Sequence, residues 1–497
     1  MVRGRTVRLG KQCEAASEIR REGSLVSMCA KEQISARTKS FRRRGIAFAM
    51  ASGACYGLYT TFLTLAQTQG TWPQWLAGHT WAGHEALSPF TATFAMAALA
   101  AGLNDLFSGI WSLAVCAKNG QMGDLVKTEA TKPGRIMMVS AAIGGPFAAT
   151  CYVVALNAAT QAGSPGVIVP IAALNVTVGA ILGRVMFKQQ LNGKSALGVA
   201  ICLAAGALIG GASVTSMGPA AAMACAFALL AAIGWGFEGC VAGFGTALID
   251  YRIGIATRQL TAGVLEAAVL FPMLMAIGGD RNALPTVARA ALMSPALPIF
   301  ALSGLFAMPA YSLWYKGNSM CGAALGMACN GMYAFWAPLF MWLLLGVAGI
   351  GGMPQNYPPL SPAQWIGAGV MVAGILFIAW GQRSNGPDQK GEVEAKHQEA
   401  PMCKAALIPL DAKRQPVSYA IVLLLADGTA RNAGDVVREL TPLYGPHRQL
   451  TEGAAKDALA TGQENGLLSI ATEDAAEQEP RYEITQFGLE TVRAYLR

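Results

Sequence analysis

Leu191-Asn192-Gly193-Lys194-Ser195-Ala196-Leu197-Gly198 opens one apolar stretch of the chain, and Leu360-Ser361-Pro362-Ala363-Gln364-Trp365-Ile366-Gly367 opens another. The two align without a gap, with Leu and Gly equally far apart in each. A second pair aligns the same way, Cys55-Tyr56-Gly57-Leu58-Tyr59 against Gly234-Trp235-Gly236-Phe237-Glu238. Self-similarity of this kind is the sequence signature of an internal repeat, so the chain reads as two copies of one unit.

Composition says what kind of unit. Of 497 residues, 53% are hydrophobic and 13% are charged, against roughly 25% charged in a soluble domain. Charges nearly vanish between Gly45 and Gln382. Apolar stretches there are long enough to cross a hydrocarbon core of about 30 Å. They fall at approximately 45–67, 89–116, 135–156, 165–187, 195–212, 220–249, 255–277, 296–316, 324–349 and 363–381. The expected fold is an all-α polytopic membrane protein of ten transmembrane helices, with one five-helix repeat over 45–212 and a second over 213–382. Because five is odd, the second copy is inverted relative to the first, the plan of many secondary transporters. The 57 glycines suit helices that approach closely in lipid. The 11 cysteines are scattered singly, without a CxxC pair, as small buried hydrophobes.

Lys and Arg collect on the cytoplasmic side of membrane proteins. With the amino terminus inside, the inner connections hold Lys118, Lys127, Lys132, Arg135, Arg184, Lys188, Lys194, Arg252, Arg258 and Lys316, and the outer ones only Arg281 and Arg289. This bias predicts a multi-pass protein of the cell membrane with both termini cytoplasmic. Residues 1–44 carry 12 basic and 4 acidic side chains and read as a disordered cytoplasmic arm that fixes orientation or touches anionic lipid. They lack the apolar core and cleavage site of a signal peptide. Met28 is an alternative start.

At the two Leu-x6-Gly entries, each followed by a Gly-containing apolar helix, the sequence resembles the drug/metabolite transporter superfamily in its EamA-like ten-helix branch, over about residues 45–382. The resemblance implies a carrier, and an exporter, of small organic metabolites or drugs. The Glu that the family usually places just before the first Leu is Gln189 here, so no role for that Glu carries over.

From Gln382 the chain turns polar, and 383–415 reads as a linker. Residues 416–497 then form a small α+β domain. A helix spans 417–426, Asn432 caps a second with Asp435 three residues on, and Thr451 opens a third. Leu467 to Ile470 and Tyr482 to Ile484 are strands, and a last helix runs from Gln486. The order resembles a winged-helix domain, with Tyr482-Glu483-Ile484-Thr485-Gln486-Phe487-Gly488 as its wing-to-helix step. Residues 401–497 hold 10 basic and 13 acidic groups, and the third helix offers phosphate only Lys456. The wing carries Glu473, Asp474, Glu477 and Glu479. Such a surface repels a duplex and argues against nucleic acid; a cytoplasmic protein partner or regulatory role fits better.

An ionisable group in lipid costs roughly 2.5–3.5 kcal/mol at a helix centre, so each faces a cavity or a partner. Glu238 lies one turn from Trp235, and Tyr56 and Tyr59 occupy the repeat-related positions, so the two faces are expected to close one site. Glu238 binds substrate or a proton, or hydrogen-bonds a neighbouring helix. Glu266 continues a stripe with Gln259 and Gly263 that lines a pathway or holds a helix pair together. Asp105, beside Asn104 and above Ser108 and Ser112, has the same two readings, which makes Asp105, Glu238 and Glu266 the proton-coupling candidates. Asn157, Asn175 and Asn330 are uncharged substrate-binding candidates. Lys316 is expected to snorkel to the interface, and Trp72, Trp75 and Trp81 to form an interfacial belt rather than an outer lid. Gly206-x3-Gly210 suits close packing in the bundle or in a homodimer.

No catalytic set emerges. Gly193-Lys194-Ser195 lacks the first glycine of a phosphate loop, where Lys188 stands. His79 and His84 lack a metal-binding frame, and no Ser/His/Asp arrangement is present in the membrane region. The expected protein is a carrier without metal or cofactor whose partners are a small-molecule substrate and membrane lipids. The rival from another class is a receptor that signals through 416–497.

Overall fold

A computed structural model describes residues 38–162, 165–187, 192–217, 219–245, 248–321, 323–352, 360–384, 410–471 and 479–496. The arm to residue 37 with Met28, Gln189, Lys188, most of the linker, Glu473, Asp474 and Glu477 lie outside the described residues.

The chain is a predominantly helical polytopic membrane protein, with eight helices among the described residues long and apolar enough to cross a membrane. They are α1 Thr38–Ala66, α2 Thr91–Lys118, α3 Lys132–Gln161, α6 within Pro219–Gly245, α7 Tyr251–Ile277, α8 Leu297–Cys321, α9 Gly326–Val347 and α10 within Pro362–Ser384. Two further apolar helices stand between α3 and α6: α4, described over Ile168–Leu182, and α5, Gly193–Met217. Their outward faces stay apolar. Val139, Leu203, Ile233, Val269 and Ile366 are exposed, as in a bundle whose solvent is hydrocarbon and whose backbone groups are satisfied within helices.

The helical arm boundary differs from the sequence expectation. Residues 38–44 are the first turns of α1 and not part of the arm, because Arg42 and Arg44 find carboxylates across space, Glu464 at 3.1 Å and Asp457 at 3.3 Å. The tryptophan belt is also overturned. Trp72 and Trp75 are fully buried and Trp81 nearly so, in an edge-on ladder that continues onto Phe300 and His84. They cap one end of the bundle from inside.

Small residues set the helix pairs. Gly198 on α5 lies so close to α10 that a Cβ there would sit 2.6 Å from the Gly374 carbonyl oxygen, and one on Gly374 would sit 2.9 Å from the Cys202 nitrogen. Further along, Gly367 meets Ile209 and the Ala205 carbonyl, so α5 and α10 run antiparallel. Gly206 of the proposed small-residue motif packs on Leu174 within the bundle. Gly57 of α1 abuts α9 at Ala337, and Gly236 of α6 abuts α4 at Val178. Both α4 and α9 are interrupted: turns at Ala173–Leu174 and at Gly331–Met332 break the helical run.

Residues 410–471 and 479–496 form a compact unit at the end of the bundle opposite the tryptophans. Its helices are α11 Val417–Leu424, α12 Ala433–Tyr444 and α13 Glu452–Glu464, followed by strands β1 Leu468–Ile470 and β2 Tyr482–Ile484 and helix α14 Gln486–Thr491. The strands pair antiparallel, Ser469 opposite Glu483. Asn432 and Asp435 cap α12 reciprocally, and Gly445 ends it at φ +70°. Arg431 ties α11 to α12 through Asp427 at 2.7 Å and Glu439 at 3.1 Å, and its hydrogen bonds hold the Asp427 carboxyl below the usual carboxylate range.

Candidate functional site

The site grows from one residue that sequence reasoning had counted with the inner loops. Asp250 caps α7, accepting from the Arg252 amide at 2.9 Å, so Arg258 sits about 10 Å inside the helix. Its side chain is wholly buried. The pairing of α2 with α7 delivers its partners. Gly263 meets the Leu106 backbone, Gly109 meets Leu260, and Gly102 meets Ala267, which sets Asp105 beside Arg258.

The guanidinium is held from three sides. Its Nη1 donates to Asp105 Oδ2 at 2.7 Å and to Gln259 Oε1. Its Nε and Nη2 reach both oxygens of Glu238 at 2.8 and 3.3 Å, the fork geometry arginine offers a carboxylate. Its face lies 4.4 Å from the Tyr311 ring centroid. Behind this layer Asn104 donates to Asp105 at 3.0 Å, Ser303 donates to Asn104 at 2.7 Å, and Gln259 donates to Ser108 at 2.6 Å.

Two widened π turns sit against the cluster, a feature that recurs at functional sites. One, Ile143–Ala149 in α3, contains Pro146. Its Gly144 lies against the Glu238 carboxylate with no room for a Cβ, and its carbonyl accepts from Trp235 Nε1 at 2.9 Å. The other, Leu265–Leu270 in α7, carries Glu266. Glu266 is fully buried, and neither carboxyl oxygen has a hydrogen-bond partner among the described residues.

An aromatic chamber stands on the other side of Glu238. Tyr56 stacks on Tyr333 at 4.1 Å, meets Tyr59 at 4.5 Å, and meets Trp235 edge-on at 5.9 Å. Tyr56, Asn175, Trp235, Glu238, Tyr311, Trp314 and Asn330 line one cavity of about 10 Å³, room for about one water. The chamber is closed around that space.

Of the residues singled out in the sequence, Tyr56, Trp235, Glu238, Asn175 and Asn330 share the cavity wall. Asn175 accepts from the Tyr333 hydroxyl at 3.1 Å and Asn330 from Ser52 at 2.7 Å; each adjoins the interruption of its helix. Tyr59 stands one ring away, stacked against Tyr311. Asp105 joins through Arg258, and Glu266 faces Gly145 of α3. Asn157 is not on this wall; it is buried in α3, its amide nitrogen unpartnered among the described residues. Lys316 lies 4.2 Å over Phe48 and 5.4 Å from the Tyr251 ring, outside the cavity. Sequence reading missed Arg258, Tyr311, Trp314 and Tyr333.

No known protein-family profile and no curated protein matches the chain. A crystal structure described only as that of a protein aligns with 71% of this chain and 99% of its own, at 19% identity and a TM-score of 0.40.

Chemically, the chamber offers π faces, two amides and one carboxylate to a molecule that enters it, the convergence of few polar groups in an apolar wall that marks small-molecule sites. The polar cluster behind it sets three carboxyls, Asp105, Glu238 and Glu266, against one guanidinium. With all three ionised the excess is two negative charges, which two protons, or a proton and a cationic group, would balance. A second groove, of about 540 Å³, opens on the side of the bundle between α3 and α6, with Ile136, Val139, Phe237 and Val241 as walls and Lys132 and Arg135 at one end.

Proposed function

We propose that the chain is a secondary transporter of small organic molecules, an exporter in the cell membrane, built as ten spans in two inverted five-helix repeats with a winged-helix-like cytoplasmic domain. The observation that carries this reading is the pair of interrupted helices, α4 and α9, one in each half, whose Asn175 and Asn330 meet across the closed aromatic cavity. Broken helices at matching places in two halves, around a buried site, are the mark of alternating-access carriers. The α5–α10 seam supports the inversion. The shift that carries Leu191 onto Leu360 also carries Gly198 onto Gly367, Cys202 onto Met371 and Ala205 onto Gly374. The contact of Gly198 with Gly374 is therefore mirrored by that of Gly367 with Ala205, and Cys202 donates to the carbonyl of its own counterpart Met371 at 3.7 Å. Gly57 against α9 and Gly236 against α4 form a second mirrored pair.

In this reading Tyr56, Tyr59, Trp235, Asn175 and Asn330 hold the substrate, and Glu238 links it to the charge cluster. Asp105, Glu238 and Glu266 exchange protons as the halves rock. Arg258 occupies Glu238 while the cavity is closed. The side groove takes a lipid chain. The receptor reading draws on one observation, that the domain at 410–496 touches both halves.

The test begins with a ligand screen by thermal shift on the purified protein, since binding to the folded state raises its melting temperature. Flux of the hits is then measured in reconstituted vesicles. Uptake driven by a pH gradient and lost in Glu238→Gln is expected. Binding with no flux under any gradient would replace the carrier by the receptor.

A further inference from the structure

The domain at 410–496 does not hang from the bundle by its linker alone. Its helix α13 lies across the seam where α1 meets α8. On the α1 side, Asp457 accepts from Arg44 at 3.3 Å and Glu464 pairs with Arg42 at 3.1 Å. On the α8 side, the Asn465 amide that follows α13 donates to the Ser319 carbonyl at 3.2 Å. The seam beneath is tight: a Cβ on Gly45 would sit 2.7 Å from Met320 Cβ, and one on Gly317 would sit 2.8 Å from Ala49 Cβ. Cys321, nearly fully buried, stands at its end.

The rest of the domain repeats the pattern. Toward the first half, Asp124 accepts from the Val417 amide at 3.0 Å and lies 3.7 Å from His447, the Tyr419 hydroxyl meets Thr131 at 2.8 Å, and Lys132 donates to the Ala494 carbonyl at 2.9 Å. Toward the second half, Gln449 donates to Asp250 at 2.8 Å, the residue that caps α7 and so fixes the helix that carries Arg258. Asp124 is buried beside its contacts with Val417 and His447. One unit therefore grips both halves at the same end.

We propose that this domain is a latch that holds the tail-side ends of the two halves together, so that the cavity opens to that side only after α13 has released α1 and α8. The proposal rests on the two-half carrier reading for its purpose, but not for its test. Halves that rock apart at this end must separate α1 from α8, and a domain bonded to both opposes that movement. The same docking turns α13, the third helix of the domain, against the bundle.

The test uses the full chain and needs no substrate. Two quantities are followed: hydrogen exchange of the docking segment 447–465, and peptide-resolved labelling of Cys321 by a soluble maleimide. Arg42→Glu with Arg44→Glu should raise both by about fivefold or more, since loss of the exposed Arg44–Asp457 pair alone accounts for up to about fivefold, and loss of the partly buried Arg42–Glu464 pair and the reversed charge add to it. Adding Glu464→Arg and Asp457→Arg should return both toward wild type. Three results overturn the latch: release of 447–465 with Cys321 still protected, no release in the charge-reversed protein, or no recovery in the fourfold swap. Vesicle flux is read separately, so a carrier without a latch and a latch without transport give different outcomes.

Discussion

Arg258 holds the buried cluster together, and its removal tests that directly. Taking away one member of a buried ion pair leaves a desolvated charge and costs about 3–5 kcal/mol. Arg258→Gln is therefore expected to lower the melting temperature of the detergent-purified protein sharply. Glu238→Gln on top of it should recover part of the loss, because the stranded carboxylate is gone, with a coupling of about 0.5–3 kcal/mol in the double-mutant cycle. Strict additivity would show that Glu238 and Arg258 do not act on each other. Much of this site was legible in the sequence: an acid one turn from a tryptophan, with tyrosines at the repeat-related positions, pointed to Glu238, Trp235 and Tyr56. Arg258 was not, since near the start of an apolar run an arginine reads as one more orientation charge. A signal was available. Three acids inside apolar helices, with no cation assigned to them, call for a counter-ion, and Arg258 directly precedes Gln259, the first residue of the polar stripe. Tyr311, Trp314 and Tyr333 carried no signal, because an aromatic on an apolar helix looks the same whether it faces lipid or a cavity.

At the level of helices, the seam of α5 with α10 depends on the absence of side chains at Gly198 and Gly374. Gly374→Leu is expected to destabilise the fold by about 1–3 kcal/mol through overpacking, read as a lower melting temperature. Gly369→Leu is its control. On the same helix Gly369 faces open space and is exposed, so a side chain there should be tolerated and gain slightly in helix propensity. Equal losses at both positions would mean that α10 is destabilised along its length and not at the seam. The repeat entries that begin these helices were readable as a gapless alignment, and the helices stand where that alignment led. The interruption of α9 falls at Gly331, and Pro170 stands three residues before that of α4 at Ala173–Leu174, but a lone glycine or proline in an apolar run does not by itself mark a break. Beside the break in α4, the Asn175 carbonyl lies close to Gly236 of α6. The start of α1 was misplaced for a related reason. Arg42-Arg43-Arg44 looks like a solvated arm until its partners, more than four hundred residues away, are seen.

On the scale of the molecule, the bundle has two unlike ends. One is capped by buried tryptophans, and the other carries Arg42, Arg44, Lys127, Lys132 and the domain at 410–496. Removing Arg258 from the loop tally leaves the excess of inner over outer basic residues strong, so the rule that Lys and Arg stay in the cytoplasm still predicts that the domain end lies inside. Cysteines placed at two exposed positions decide it. With intact cells, a membrane-impermeant maleimide followed by peptide mapping is expected to label Glu85→Cys at the tryptophan end at once. It should label Lys413→Cys, near the start of the domain, only after permeabilisation. Both residues are exposed, so accessibility reports the side of the membrane and not burial. The reverse pattern would put the domain outside the cell and make the basic end an exception to the charge rule. It would also turn the latch into a gate on the outer face, closing the cavity against entry from the medium.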